Sequence, residues 1–118
     1  MDKPYHPEKG PSISGIKPGD QLTGFFSLVS KNLEPFRDPA RGYFLALTLA
    51  DRSGQIQARV WENAEGLAEE IQEGTVVKVE GYAEAYLKRT QIIVQRVRTA
   101  EQGEYDLSEC EISTCKLV

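Results

Sequence analysis

The amino-acid sequence predicts an all-β fold, a five-stranded barrel with one short helix between the third and fourth strands, and three observations carry that prediction. Five segments of strand length alternate apolar with polar residues. One segment between the third and fourth has apolar residues at helical spacing, and clusters of Gly, Pro, Asp and Ser separate the segments. The 118 residues suit a single core of ordinary size. With 40% hydrophobic and 27% charged residues, a disordered or collagen-like chain is excluded. No apolar run approaches the roughly 18 to 20 residues that cross a bilayer, and the start MDKPYHPEKG has no apolar signal region, so a cytoplasmic protein without membrane contact is expected.

Residues 1–15 hold three prolines and two glycines among polar residues and offer little to bury, so they read as a flexible arm. Order is expected from near Ile16, after which Lys17-Pro18-Gly19-Asp20 forms a turn. The first strand spans 21–30, with Gly24 marking a bulge or bend. Residues 31–41 contain two prolines and no sustained period, and read as a long loop of the kind that often carries function. The second strand, 43–50, places Leu45, Leu47 and Leu49 on the core face and Phe44, Ala46 and Thr48 on the other.

Asp51-Arg52-Ser53-Gly54 makes a tight hairpin into the third strand, 55–61, where Ile56, Ala58 and Val60 point inward and Gln57, Arg59 and Trp61 outward. A helix is predicted over 63–73 from Leu67, Ala68 and Ile71, capped by Asn63 and stopped by Gly74. In the fourth strand, 75–86, Val77 and Val79 face inward and Gly81 marks a bend, after which Tyr82 or Ala83 takes the core side. Leu87-Lys88-Arg89 turns the chain into the last strand, 90–98, with Ile92 and Val94 inward.

Five strands with this helix position form the layout of the OB-fold Greek-key barrel, in preference to an SH3-like barrel, whose helical turn precedes its last strand. The expected organisation is an arm over 1–15, an OB-fold domain over 16–100 and an acidic tail or linker over 101–118. On such a barrel a ligand sits on the outer face of strands two and three, flanked by the loops joining strands one to two and four to five. That surface collects Phe44, Ala46, Thr48, Gln57, Arg59 and Trp61 from the strands, Lys31, Phe36, Arg37 and Arg41 from the first loop, and Tyr86, Lys88 and Arg89 from the second. Single-stranded nucleic acid is held by stacking bases on aromatic rings, at roughly 1 to 3 kcal/mol per base, while Lys and Arg follow the phosphates. Phe44 and Trp61 are the stacking candidates, Gln57 offers a donor and an acceptor to a base edge, and the cations track the backbone. Against this, Trp61 could cover the barrel rim, Phe44 could pack under Phe36, and Lys88-Arg89 could be a solvated turn. Tyr43 and Tyr82 are expected to pack in the barrel.

The net charge of −4 belongs to residues 99–118, where five acidic residues face one lysine; residues 1–98 are neutral. One His and two Cys are too few for a structural zinc site, and no nucleophile–base pair stands in a recognisable motif, so neither metal, cofactor nor catalysis is expected of this chain. Cys110 and Cys115 read as reduced thiols.

Three segments, Gly24-Phe25-Phe26-Ser27-Leu28-Val29, the run from Tyr43 to Trp61, and Gly74 to Gly81, resemble the anticodon-binding type of OB domain. More narrowly, they resemble the N-terminal OB domain of YhaM-type 3′-5′ exoribonucleases, where it precedes an HD-type metal phosphohydrolase domain; the resemblance covers about residues 16–107. It implies that the face carrying Phe44, Ala46, Thr48, Gln57, Arg59 and Trp61 binds single-stranded RNA or DNA. Ala46 departs from synthetase relatives, which often have a stacking aromatic there, so specific anticodon reading is not implied. The chain has no His-Asp metal pair, and Asp106-Leu107-Ser108 resembles the start of a linker to a catalytic domain, so an excised N-terminal domain is expected. The competing expectation is a protein-interaction or assembly module using the same aromatic face, with oligosaccharide binding a distant third.

Overall fold

A computed structural model describes residues 12–101; the expectations for residues 1–11, for the acidic tail beyond Glu101 and for Cys110 and Cys115 fall outside them. Strands β1 (Gln21–Pro35), β2 (Tyr43–Asp51), β3 (Gly54–Val60), β4 (Val76–Tyr86) and β5 (Arg89–Thr99) close into a barrel in the order β1-β2-β3-β5-β4. Helix α1 (Ala64–Glu70) lies between β3 and β4. The fold is the predicted five-stranded barrel. Its pairs are antiparallel except for β3 and β5, which run parallel over Gln57–Val60 and Gln91–Val94.

The period-two pattern explains the core. Leu45, Leu47, Leu49, Ile56, Ala58 and Val60 are buried on the inner face of β2 and β3, facing Val77, Val79, Ala83, Ile92 and Val94 from β4 and β5. Each fully buried leucine stabilises the fold by about 1.5 to 3 kcal/mol. Helix α1 adds Ala64 to the same core, with Leu67 and Ala68 packed against it, and Ile71 follows at the helix C-cap.

Strand β1 departs most from expectation. It extends to Pro35, because Lys31–Pro35 pair with Leu47–Tyr43 of β2, and Pro35 stands at the strand end where a missing N–H costs little. Residues 21–27 pair with β4, pairing with β2 begins at Ser27 and Leu28, and a register shift follows between Leu28 and Ser30. The bulge is therefore at Val29, where the strand must bend to close the barrel, while Gly24 pairs regularly with Val79.

Three further boundaries move. Asn63 has left-handed backbone (φ 56°) and its side chain makes no cap hydrogen bond, because the residue turns the chain out of β3, whereas an N-cap needs extended geometry. The helix ends at Glu70, as Ile71 becomes extended to enter the core, and Gly74 serves the following turn. At the N-terminus, ordered structure precedes Ile16: Ile13 is buried in the core cluster within a short 3₁₀ turn, Ile13–Gly15. The Ile13 amide donates to Asp51 Oδ2 (2.9 Å) and the Ser14 amide to Ser53 Oγ (3.0 Å), which fastens this segment to the β2–β3 hairpin. Residues 12–15 therefore do not belong to an arm.

Gly81 stands at the β4 bulge opposite Val94, where a Cβ atom would lie 2.1 Å from the Ile93 carbonyl oxygen; only glycine permits that approach. Beyond it Ala83, not Tyr82, takes the core side.

Candidate nucleic-acid interface

Register places the outward residues of the sheet in rows across the strands. Thr48, Gln57, Gln91 and Glu84 form one row across β2, β3, β5 and β4; Ala46, Arg59, Ile93 and Tyr82 form the next. Phe44 opens a third row, with Trp61 immediately beyond the end of β3. One end of the face is thus polar and the other aromatic.

At the aromatic end Phe36 joins the two predicted rings. The Phe36 amide donates to the Gly42 carbonyl (3.0 Å), and Gly42, at φ 85°, supplies the left-handed turn that returns the chain into β2. Phe36 lies 5.3 Å from Phe44 and 5.7 Å from Trp61, the latter pair stacked, and Phe44 lies 5.1 Å from Trp61. Phe44 does pack against Phe36, as one reading expected, yet the cluster remains at the surface: Trp61 keeps 39% of its area exposed. The Arg41 guanidinium lies 4.0 Å from the Phe36 ring centroid and that of Arg59 5.7 Å from Phe44, both within cation–π range. Arg41 is the last residue of the 3₁₀ turn Pro39–Arg41, which Asp38 caps through the Ala40 amide (3.0 Å), and Arg37 is exposed just before it.

Lys31 is a correction. It lies in β1, not in a loop, and its Nζ donates to the carbonyls of Ala68 and Ile71 (2.6 Å to the latter), where it satisfies the C-terminal end of α1. It is not part of the aromatic face.

The other flank is the β4–β5 turn. Leu87 and Lys88 both have positive φ (49° and 66°), the geometry of a two-residue type I′ hairpin connection. Tyr86 and Arg89 pair at its base, and they line a cleft of about 700 Å³ together with Gln57, Arg59, Gln91, Ile13 and Ile16. A second cleft of about 760 Å³ runs from Trp61 past Tyr82 and Ile93 to Lys78 and Arg96, with Glu62 on its edge. The two clefts have no lining residue in common.

Sequence reasoning did not single out Gln91, Ile93 or Glu84, although the alternation along β5 already put Gln91 and Ile93 on the outward side. Their proximity to Gln57 and Arg59 depends on the parallel β3–β5 pairing. Tyr43 and Tyr82, expected in the barrel, are instead outside it, with Tyr43 48% exposed. Among the described residues, no group of three or more His, Cys, Asp or Glu is placed to hold a metal ion, and no helix is long and apolar enough to cross a membrane.

The profile of the tRNA_anti-codon family, described as an OB-fold nucleic acid binding domain, matches residues 37–100. The chain belongs to this family. Solved structures repeat the barrel of this OB domain. The second OB-fold domain of replication protein A from Methanococcus maripaludis is 23% identical, with 79% of this chain and 96% of that one covered and a TM-score of 0.63. The OB domain of Ta0387 from Thermoplasma acidophilum is 9% identical, covering 76% of this chain and 85% of that one at a TM-score of 0.61. A replication protein A heterotrimer bound to single-stranded DNA is 20% identical, with coverage of 79% and 73% and a TM-score of 0.50.

Proposed function

We propose that this OB domain is a non-catalytic module that binds single-stranded nucleic acid across the outer face of β2 and β3. The observation that carries the reading is the surface cluster of Phe36, Phe44 and Trp61 with Arg41 and Arg59 against its rings. Bases stack on the open side of that cluster, and Arg37, Arg41, Lys88 and Arg89 follow the phosphates from the two flanks. Thr48, Gln57, Tyr86 and Arg59 line the path between them. The structural likeness to a protein solved with single-stranded DNA supports the choice of ligand class.

The larger setting proposed for it is the substrate-binding domain of a cytoplasmic HD-type phosphohydrolase or 3′-5′ exonuclease, a reading that rests on the resemblance of residues 24–29, 43–61 and 74–81.

Titration of Trp61 emission with a single-stranded oligonucleotide tests the binding reading. Saturable quenching is expected, weakening with salt by a slope of about −0.7 per phosphate contact. Absence of quenching at high micromolar strand would refute the reading and favour docking of a protein on the aromatic cluster.

A further inference from the structure

The proposed binding face reaches only one end of β5. Arg89, Thr90 and Gln91 line the cleft beside the β4–β5 turn, whereas the stretch from Ile93 to Arg98 lines the cleft to which Trp61 belongs. Gln91 and Ile93 are successive outward residues, separated only by the core residue Ile92, so β5 leads from one cleft into the next. Beyond Val94 the strand pairs with β4 alone, because β3 has ended at Val60 and the chain continues through Trp61, Glu62 and Asn63 into α1. Both segments line the cleft of about 760 Å³. Along β5 its lining changes from apolar to basic: Ile93 opposite Tyr82, then Arg96 opposite Glu80, then Arg98 opposite Lys78. Lys78 and Arg98 are direct cross-strand partners, an arrangement that disfavours two like charges and that an anion held against both relieves. Arg96 stands 3.5 Å from Glu80 Oε1, yet its side chain keeps 84% of its area exposed, so that contact holds it weakly. Residues 86–98 carry Lys88, Arg89, Arg96 and Arg98 and no acidic residue, with the cations at the two ends.

We infer that the outer side of β5 is a second stretch of the nucleic-acid path, on which a single strand leaves the aromatic cluster at Trp61 and runs to phosphate contacts with Arg96, Arg98 and Lys78. Trp61 belongs both to the cluster and to this cleft, which makes the two stretches continuous. Tyr82 and Ile93 offer the intervening bases a ring and an apolar surface, and the basic end takes the backbone. The inference rests on the proposed binding of single strands to the β2–β3 face and extends the footprint of that site. The 11 residues of β5 span about 33 Å at roughly 3.3 Å per residue. At about 3.4 Å or more per nucleotide that length holds up to about ten nucleotides, inside the range of roughly 4 to 16 that OB folds occupy.

Thymidine strands of about five and about twelve nucleotides separate the two stretches, since the shorter suits the aromatic face alone. Emission of Trp61 reads both titrations at several salt concentrations. A longer strand offers more registers and gains affinity for that reason alone, so the salt dependence decides. Its slope is expected to be steeper than that of the short strand by about 2, three phosphate contacts at about 0.7 each. Lys78→Gln combined with Arg96→Gln should remove about 1.4 of that difference and weaken the longer strand, with the shorter unchanged. Glu80→Gln, which removes the acid facing Arg96, should strengthen the longer strand alone. Equal slopes for both strands in the wild-type protein overturn the inference and leave the binding reading intact. A double variant that weakens both strands alike, or neither, overturns it as well. Binding of neither strand by the wild-type protein removes the underlying reading and this inference with it.

Discussion

The two faces of β2 and β3 obey the same period and end in different states. Inward, Leu45, Leu47, Leu49 and Ala58 are shut off from solvent in one core. Outward, Phe44, Thr48, Gln57, Arg59 and Trp61 are covered only in part, by one another and by neighbours from the flanking segments. The inner face has no surface left to offer, whereas the outer face holds rings and amides in fixed positions while leaving them accessible. The contrast sets a sealed core on one side of a strand and an accessible row of rings and amides on the other, a single residue apart.

The largest effect separating the faces is expected from Leu47→Ala, which should lose about 2 to 5 kcal/mol of unfolding free energy in urea titration. If that loss were below about 1 kcal/mol, the inner face would not be the close-packed core described. On the outer face, Trp61→Ala should weaken single-strand binding by roughly 1 to 3 kcal/mol, read by anisotropy of a labelled oligonucleotide, with a far smaller change in stability. A variant that unfolds instead would make Trp61 a packing residue.

Lys31→Met sharpens the boundary of the proposed binding face. It removes donors from the Ala68 and Ile71 carbonyls and should cost about 1 to 2 kcal/mol of stability while leaving affinity unchanged. Weaker binding at equal stability would return Lys31 to the interface. Smallest, Leu87→Asn combined with Lys88→Gly suits the left-handed turn and should raise stability by about 1 kcal/mol. The same pair of changes should reduce the salt slope by about 0.7 if Lys88 meets a phosphate.

Much of this was legible from the sequence, and the exceptions share a cause. Leu45, Leu47, Leu49, Ile56 and Val60 were placed correctly because burial on one face imposes period two, which needs no knowledge of the partner strand. The extension of β1 through Lys31–Pro35 was not, because its two neighbouring prolines suggest a loop and only pairing with β2 keeps it extended. Asn63 has the composition of a helix cap, yet the geometry of leaving β3 sets its backbone. At the site, Phe44 and Trp61 stood out as aromatics on a polar face, but their approach to Phe36 depends on the Gly42 turn. Gln91 escaped notice because its row forms only when β5 returns parallel to β3, a non-local event with no trace in the local pattern.

The most direct test of the account is a map of amide and indole chemical shifts as single-stranded oligonucleotide is added to the whole protein. The account predicts shifts at the Trp61 indole N–H, at the amides of Phe44, Thr48, Gln57 and Arg59, and at the β4–β5 turn, with the amides around α1 and Lys31 unmoved. Shifts confined to other surfaces of the barrel, or none at saturating strand, would contradict it.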